Sequence, residues 1–151
     1  MGSSLVKIDV HIIFHVKKTS PRLKVDDFER IWAYIGGIIR NTGGLALQIG
    51  GVSDHIHILS SLPKTMSIAD FVRTIKIESS KWIKNIDDKY QSFAWQNGYG
   101  AFSVSPSAIP DIMWYIKKQQ EHHRGKTFAE EYHGFLNAYG IEYDDRYVFN
   151  D

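Results

Sequence analysis

The chain has 151 residues, a formal net charge of +1 and no cysteine. This length suits one domain with one hydrophobic core, and the lack of cysteine excludes disulfides, thiolate metal sites and thiol catalysis. No apolar run approaches the ~18 residues of a membrane helix and no signal peptide is recognisable, so we expect a cytoplasmic protein.

The first 60 residues predict a strand, a helix and a hairpin. Apolar and polar side chains alternate from Val6 to Lys17, which is typical of a half-buried strand. Apolar residues then recur at helical spacing from Val25, and Gly43-Gly44 is a C-cap signal that closes this helix. The runs LALQI and HIHIL predict an antiparallel hairpin with GGVSD as its loop.

The rest of the chain predicts three helices and one further strand. Ser67 to Asp70 resembles a capping box that opens the second helix. FAWQNGYGAFSVS is aromatic and β-prone, and its glycines indicate a turn or bulge. Pro110 suits the first turn of a third helix, which continues to roughly His123. Thr127 to Glu130 is a capping box that opens a fourth helix, with Gly140 at its end.

The element order is β-α-β-β-α-β with appended helices, which predicts the α+β class and a ferredoxin-like, RRM-like split βαβ fold. In that arrangement two helices cover one face of an antiparallel sheet, and we expect the other face to be free. One domain is expected over 1–151, with a core over about 5–105, the tyrosine and C-terminal helices over about 107–140, and a tail over 141–151. The tail is acidic while the whole chain has a net charge of +1, so the part that precedes the tail is mildly basic. This charge distribution is compatible with binding a polyanion.

Two histidines in the predicted hairpin form a candidate site. On an extended strand, His55 and His57 point to the same face, one pleat apart. Their nitrogens could converge on a divalent metal ion, although a solvated polar strand face is the commoner explanation. Asp54 starts the strand on the opposite face and is expected to shape the turn. His11 and His15 share a face of the first strand, as surface residues or as contacts.

The third helix carries the second candidate site. Tyr115, Lys118, Gln119 and His122 trace its polar side, because residues three and four apart are neighbours on a helix. Tyr115 is either an amphipathic residue at the edge of the core or, next to a cation, a covalent nucleophile. The pair His122-His123 either extends a metal site or favours the helix dipole. No P-loop, dinucleotide fingerprint, nucleophile elbow or HExxH motif is present.

These segments together resemble the single-tyrosine HUH transposases of the smallest bacterial insertion sequences. The matching segments occur in the family's order, from the first strand almost to the last residue: DHIHIL, SIADFVRTIKIESSKWI, FAWQNGYGAFSVS, YIKKQQEHH, FAEEYHGFL and GIEYDDRYV. A histidine pair alone is common by chance. Joined to a downstream tyrosine helix and WQ-x-GYG-x-FSVS, it is highly specific.

The resemblance implies a DNA transposase that cleaves and joins single-stranded DNA at hairpin-containing element ends through a 5′-phosphotyrosine intermediate. It implies that His55 and His57 hold a divalent metal ion, Mg²⁺ or Mn²⁺, that Gln119 completes the metal site and that Tyr115 is the nucleophile. It also implies a homodimer in which the tyrosine helix of one subunit serves the histidines of the other. The alternatives are a domesticated protein that binds nucleic-acid hairpins without cutting them, and a metal-dependent hydrolase unrelated to DNA.

Basic and aromatic side chains are candidates for DNA contacts. The candidate phosphate ligands are Lys17, Lys18, Arg22, Lys76, Lys81 and Lys118. KKTSPR departs from the short basic, TKNR-like segment of many relatives, so the residues of that segment are not matched one by one. The aromatic candidates either stack on unpaired bases or belong to the core; they are Trp95, Tyr99 and Phe102.

Overall fold

The computed structural model describes residues 2–122 and 126–145. The strands are β1 (Asp9–His15), β2 (Ala46–Val52), β3 (His55–Ser61) and β4 (Gly100–Ser103). The helices are α1 (Phe28–Asn41), α2 (Ile68–Ile86), α3 (Ile109–Lys117), α4 (Gln119–His122) and α5 (Phe128–Ala138). Among the described residues, no helix has the length and apolar character needed to cross a membrane.

The four strands form one antiparallel sheet in the order β2-β3-β1-β4. This order confirms the predicted split βαβ fold. In the β1–β3 ladder, Ile13 lies opposite His57 and His15 lies opposite His55. Directly opposed residues share a face of the sheet, so the odd-numbered residues of both strands point to the same side.

The opposite side, with the even-numbered residues, holds the main core. Ile12 and Phe14 of β1 are fully buried against α1 and α2, together with Ile35 of α1 and Ile75 of α2. The structure confirms the predicted cap at the start of α2, since the Ser67 side chain accepts a hydrogen bond from the backbone N–H of Asp70.

The histidine side of the sheet is also covered, so the expectation of a free face is wrong. Helix α3 buries Ile116 against Leu59 and Val104. Helix α5 buries Tyr132 and Leu136 against Ile13 and Phe102. Every residue of β1 is therefore buried, and not only alternate ones as a half-buried strand would have. The physical reason is that the appended helices have apolar stripes of their own, which bury against this face.

Two local differences from the predicted elements affect the site. The hairpin loop is shorter than predicted, because Gly50 and Gly51 belong to β2 and only Ser53 and Asp54 form the turn. The third helix ends earlier than predicted: at Lys118 the backbone leaves helical geometry (φ −97°, ψ 19°), and Gln119 begins the short α4. The predicted helix end at His123 lies outside the described residues.

Candidate metal and nucleophile site

His55 and His57 lie on the covered face of β3 and are fully buried. Each ring has its Nδ1 atom fixed by a neighbour. His55 Nδ1 is hydrogen-bonded to Asp54 Oδ1 at 2.8 Å, and His57 Nδ1 is hydrogen-bonded to His11 Nε2 at 2.8 Å. The Nε2 atoms approach one carboxylate from α5, at 3.5 Å for His55 and 2.8 Å for His57. The predicted pair is therefore buried with polar partners, and the alternative of a solvated strand face is wrong.

The neighbours of this pair differ from what their positions in the sequence indicate. Asp54 lies in the turn as predicted, but its carboxylate contacts His55, so the assignment of its side chain to the opposite face is wrong. His11 is 1% exposed and His15 is 6% exposed, so neither is a surface residue. His11 belongs to the site, whereas His15 Nδ1 is hydrogen-bonded to the backbone oxygen of Val16.

Glu131 supplies the carboxylate that the sequence did not reveal. It lies on α5 and is buried, with its oxygens directed at both histidines. In the sequence, the capping box is formed by Thr127 and its neighbour Glu130. The structure confirms that the Thr127 hydroxyl accepts a hydrogen bond from the backbone N–H of Glu130. A signal was nevertheless present, because Glu131 stands at helical spacing between Phe128 and Phe135 on an otherwise apolar stripe. A charge in that place is rarely buried without partners.

Tyr115 and Gln119 reach the same carboxylate from α3 and α4. The Tyr115 hydroxyl donates a short hydrogen bond to Glu131 Oε1, and the Gln119 amide donates to the same oxygen at 3.1 Å. Gln119 Oε1 also lies 3.2 Å from His55 Nε2. The four residues of the predicted site, in one chain, are thus brought together around Glu131, with the ring of Tyr115 edge-on to that of His57.

The close packing of these ionisable groups shifts their pKa values. Burial raises the pKa of Glu131, but hydrogen bonds from the two histidines and Tyr115 outweigh it and hold that pKa far below its usual range. Burial lowers the pKa of His55, yet the carboxylates of Asp54 and Glu131 raise it overall. Burial and the hydrogen bond to Glu131 raise the pKa of the Tyr115 hydroxyl. At neutral pH the cluster therefore contains an ionised carboxylate and a protonated phenol.

The donor atoms fit a divalent cation. His55, His57 and Glu131 each offer one ligand atom, and these atoms lie within 4.8 Å of one another. The oxygen of Gln119 adjoins them. Two imidazole nitrogens with two oxygens suit a transition metal ion, and Mn²⁺ accepts such a mixed set.

Comparison with known proteins identifies the family. A family model described as "Transposase IS200 like" matches residues 4–119, which include both histidines, Tyr115 and Gln119. The chain belongs to the IS200-like transposase family. Glu131 lies beyond the matched region. A comparison with curated proteins gave no match.

Solved structures with the fold of this IS200-like transposase include two relatives of low sequence identity. One, from Deinococcus radiodurans R1, is proposed to be a transposase; it is 19% identical with a TM-score of 0.61, over 79% of this chain and 95% of that chain. The other is a REP-associated tyrosine transposase bound to a REP hairpin; it is 13% identical with a TM-score of 0.59, over 82% of this chain and 73% of that chain. At these identities the likeness shows the fold.

The cations predicted to contact DNA are divided between the two faces of the transposase. Lys18 and Arg22 line a groove of about 280 Å³ beside Asp54, on the side of the histidines. The backbone N–H of Lys17 donates to Ala94 O, and Lys118 lies 3.9 Å from the Glu121 carboxylate.

Lys76 and Lys81 lie on α2, across the sheet from the histidines. The ammonium group of Lys76 donates to the backbone oxygens of Gln96, Asn97 and Gly98 at 2.8, 3.3 and 2.6 Å. It therefore holds the segment before β4 in place, whatever other role it has.

The aromatic candidates belong mainly to the core of the transposase. Trp95 and Phe102 are buried, and the Trp95 indole donates to Ser79 Oγ at 3.0 Å. Tyr99 is partly buried and packs on the main core. Between the two readings of the sequence, the structure favours core packing for Trp95 and Phe102.

Proposed function

We propose that this protein is an HUH-type single-strand endonuclease and strand transferase, which cleaves hairpin-containing element ends through a 5′-phosphotyrosine on Tyr115. The observation that carries the proposal is the convergence of a tyrosine hydroxyl, two strand histidines and a glutamine on one buried carboxylate. A tyrosine that only filled the edge of the core would not need this set of neighbours.

His55, His57 and Glu131 would hold a divalent cation, Mg²⁺ or Mn²⁺, with Gln119 as a further oxygen ligand. When bound, the cation would polarise a phosphate oxygen and stabilise the departing 3′ oxygen. Asp54 and His11 fix the outer nitrogens of the two histidines, so the Nε2 atoms are oriented toward the common position before any cation arrives.

The cleavage step uses Tyr115. Its oxygen attacks phosphorus, the bond from Tyr115 Oη to phosphorus forms, and the bond from phosphorus to the 3′ oxygen breaks. The phenolic proton passes along the existing hydrogen bond to Glu131, and solvent supplies a proton to the 3′ oxygen. Because Glu131 is a weak base in this cluster, the transfer is completed only as the new bond makes the phenol acidic.

Strand joining is the same reaction in reverse with another 3′-OH. That hydroxyl attacks the phosphotyrosine, the bond from phosphorus to Tyr115 breaks, and the tyrosine regains its proton. The energy of the phosphodiester is kept in the covalent intermediate, so the reaction needs no nucleotide cofactor.

The substrate is proposed to be single-stranded DNA with hairpins. The support is the resemblance of the sequence and a neighbour of the same fold that is bound to a REP hairpin. Lys18 and Arg22, at the groove that Asp54 also lines, are the best-placed phosphate ligands, and such contacts would weaken with rising salt concentration. A homodimer is part of this proposal.

The decisive experiment compares wild type with Tyr115→Phe on a single-stranded oligonucleotide that carries a palindrome flanking the gene. In Mn²⁺, wild type should form an SDS-resistant protein–DNA product, and Tyr115→Phe should form none while its hairpin affinity stays within about threefold, because the ring is kept. Tyr139→Phe is a matched control, since the Tyr139 hydroxyl lies at the surface and, within the described part of the chain, donates to the backbone oxygen of Ser103.

Two outcomes would contradict the proposal. Covalent product from Tyr115→Phe would remove the role of Tyr115. Tight hairpin binding by wild type without any product in Mg²⁺ or Mn²⁺ would favour the non-catalytic hairpin-binding protein.

A further inference from the structure

The two histidines of the site are held by chemically different partners. His55 Nδ1 bonds to Asp54, whose side chain is 45% exposed. His57 Nδ1 faces Nε2 of a third imidazole, that of His11, at 2.8 Å in the interior. A carboxylate can only accept a hydrogen bond, so Asp54 settles which nitrogen of His55 carries the hydrogen. An imidazole nitrogen can accept or donate, so the direction of the hydrogen bond between His11 and His57 matters.

Only one direction is compatible with metal binding. If His11 Nε2 carries the hydrogen, His57 Nδ1 is the acceptor, and a neutral His57 has its own hydrogen on Nε2, where it blocks a cation. If His57 Nδ1 carries the hydrogen, His11 Nε2 is the acceptor and the Nε2 lone pair of His57 is available.

The surroundings of His11 hold its ring in one place. Its ring stacks on that of His57 with centroids 5.1 Å apart and an interplanar angle of 29°. Phe135 of α5 packs edge-on against it at 5.0 Å, and Phe102 of β4 lies edge-on at 6.4 Å. These rings exclude water from its contact with His57 and leave little room for the imidazole to turn.

We propose that His11 is a positioning residue of the metal site: when a cation displaces the hydrogen by which His57 Nε2 bonds to Glu131, His11 accepts the Nδ1 hydrogen of His57 and so directs the Nε2 lone pair of His57 toward the cation. The inference rests on the proposed function, because it requires a divalent cation at the histidine pair. His11 is not one of the residues that would hold the cation, and it would do for His57 what a carboxylate commonly does for a metal-binding histidine.

The test compares variants that separate ring packing from hydrogen bonding. His11→Phe keeps an aromatic ring between His57 and Phe135 but removes both nitrogens. His11→Gln keeps a carbonyl oxygen that can accept from His57 Nδ1. His15→Phe is the matched control, because His15 is buried on the same face of β1 and its Nδ1 bonds to Val16 O.

Two measurements are made on the full chain. Calorimetric titration with Mn²⁺ alone should show affinity about 10–100-fold weaker for His11→Phe, and within about threefold of wild type for His11→Gln and His15→Phe. Long-range ¹H–¹⁵N NMR of histidine-labelled protein in saturating Mg²⁺ should show the His57 hydrogen on Nδ1 in wild type and His11→Gln.

The outcomes separate this inference from the proposed function. Wild-type Mn²⁺ affinity in His11→Phe, or a hydrogen on His57 Nε2 in Mg²⁺-bound wild type, would overturn the role of His11 alone. Absence of Mn²⁺ and Mg²⁺ binding by wild type would overturn the metal-dependent function, and the role of His11 with it. If His11→Phe does not fold, the NMR measurement on Mg²⁺-bound wild type still shows which nitrogen of His57 carries the hydrogen, and so tests the role of His11.

Discussion

At the scale of single residues, Glu131 links Tyr115, the proposed nucleophile, to the two histidines of the candidate metal site. Its carboxylate accepts from the Tyr115 hydroxyl and lies within 2.8 Å of His57 and 3.5 Å of His55. Without it, two imidazoles and a phenol would be buried with fewer acceptors, which is costly. Its negative charge also offsets that of a bound cation, which two neutral imidazoles and a neutral amide cannot do.

We therefore expect Glu131→Gln to weaken Mn²⁺ binding by about tenfold or more, because an anionic ligand is replaced by a neutral amide of the same shape. Isothermal titration with Mn²⁺ measures this. Glu130→Gln is the control, since Glu130 is the exposed neighbour in the same turn of α5. Equal Mn²⁺ affinity in the two variants would show that Glu131 is not a ligand.

A second buried cluster, away from the site, gives a prediction about stability. Asp27 accepts hydrogen bonds from the Tyr90 hydroxyl at 2.5 Å and from Arg30 at 2.6 Å, and lies 3.0 Å from the Lys89 ammonium. Burial raises the pKa of Asp27, but these donors outweigh it and lower the pKa from 3.8 to about 2. Burial and the bond to Asp27 raise the pKa of Tyr90 from 10.0 to about 12.

The sign of each pH effect follows from these shifts. The contribution of Asp27 is present above pH 3.8 and is lost as pH falls toward 2, because the unfolded carboxyl binds its proton first. The contribution of Tyr90 is present below pH 10 and is lost as pH rises toward 12, because the unfolded phenol ionises first. Urea unfolding at pH 7, 10 and 12 should show the alkaline loss. The share of Tyr90, measured as the difference between wild type and Tyr90→Phe, should be on the order of 2 kcal/mol, because the Tyr115 hydroxyl, whose pKa is also raised, adds to the loss in both proteins.

Tyr90→Phe should lower the free energy of unfolding at pH 7 by about 1–3 kcal/mol and remove the share of the alkaline loss that belongs to Tyr90, because the hydroxyl that bonds Asp27 and Lys24 is gone. Tyr139→Phe should change the free energy of unfolding by less than about 0.5 kcal/mol, since Tyr139 is 46% exposed. Similar effects of the two variants would show that the cluster around Asp27 does not stabilise the fold.

At the scale of elements, the packing of α3 on the sheet depends on a glycine. A Cβ atom on Gly50 of β2 would lie 2.6 Å from the backbone oxygen of Ile116, so α3 can approach the strand only where no side chain intervenes. Tyr115 is the neighbour of Ile116 in that helix. The position of Tyr115, the proposed nucleophile, beside His57 is therefore set partly by a residue of the hairpin.

Gly50→Ala should displace α3 and reduce the yield of covalent product by about 10–100-fold, because misplacing the nucleophile by roughly 1 Å has effects of that size. Hairpin affinity should stay within about threefold, because Lys18 and Arg22 in the groove beside Asp54 are unchanged. The control is Gly37→Ala on α1, where a Cβ atom would meet open space. It should keep the yield of covalent product and raise the free energy of unfolding by up to about 1 kcal/mol. Full activity of Gly50→Ala would show that the close approach of α3 is unimportant.

The elements also show what a sequence can and cannot predict. The caps at Ser67 and Thr127 were predictable because capping is local, and their side chains accept the expected N–H groups. The break at Lys118 was not, since neither Gly nor Pro marks it; the break accompanies the burial of Gln119 against His55. Glu131 was missed because its partners lie far away in the chain, so that only an unusual charge on an apolar stripe pointed to it.

At the scale of the whole molecule, the covering of the histidine face determines how DNA reaches the site. Helix α5 lies over the cluster, and a groove of about 240 Å³ on its other flank is lined by Tyr115, Lys126 and Phe135. The groove with Lys18 and Arg22 lies on the opposite flank. In the proposed function, a DNA strand would reach Tyr115 through the first of these grooves and Lys18 and Arg22 through the second.

The same arrangement bears on which subunit supplies the tyrosine. The family resemblance implies that the tyrosine helix serves the partner's histidines. In the single chain, however, Tyr115 already bonds to Glu131 beside its own His57, and α3 packs on its own β2 and β3. Exchange between subunits would require α3 to leave these contacts, so we expect each chain to use its own tyrosine.

Co-expression of Tyr115→Phe with His57→Ala distinguishes the two arrangements. If each chain uses its own tyrosine, every subunit in a mixed dimer lacks one essential group, and no SDS-resistant product should form. If the tyrosine comes from the partner, each mixed dimer has one complete site, and random pairing would restore about a quarter of the wild-type yield. Each variant expressed alone should be inactive in either case, and differently tagged chains purified in sequence show that mixed dimers were present. Product from the mixed dimers would contradict assembly of the site within one chain and establish the exchange that the resemblance implies.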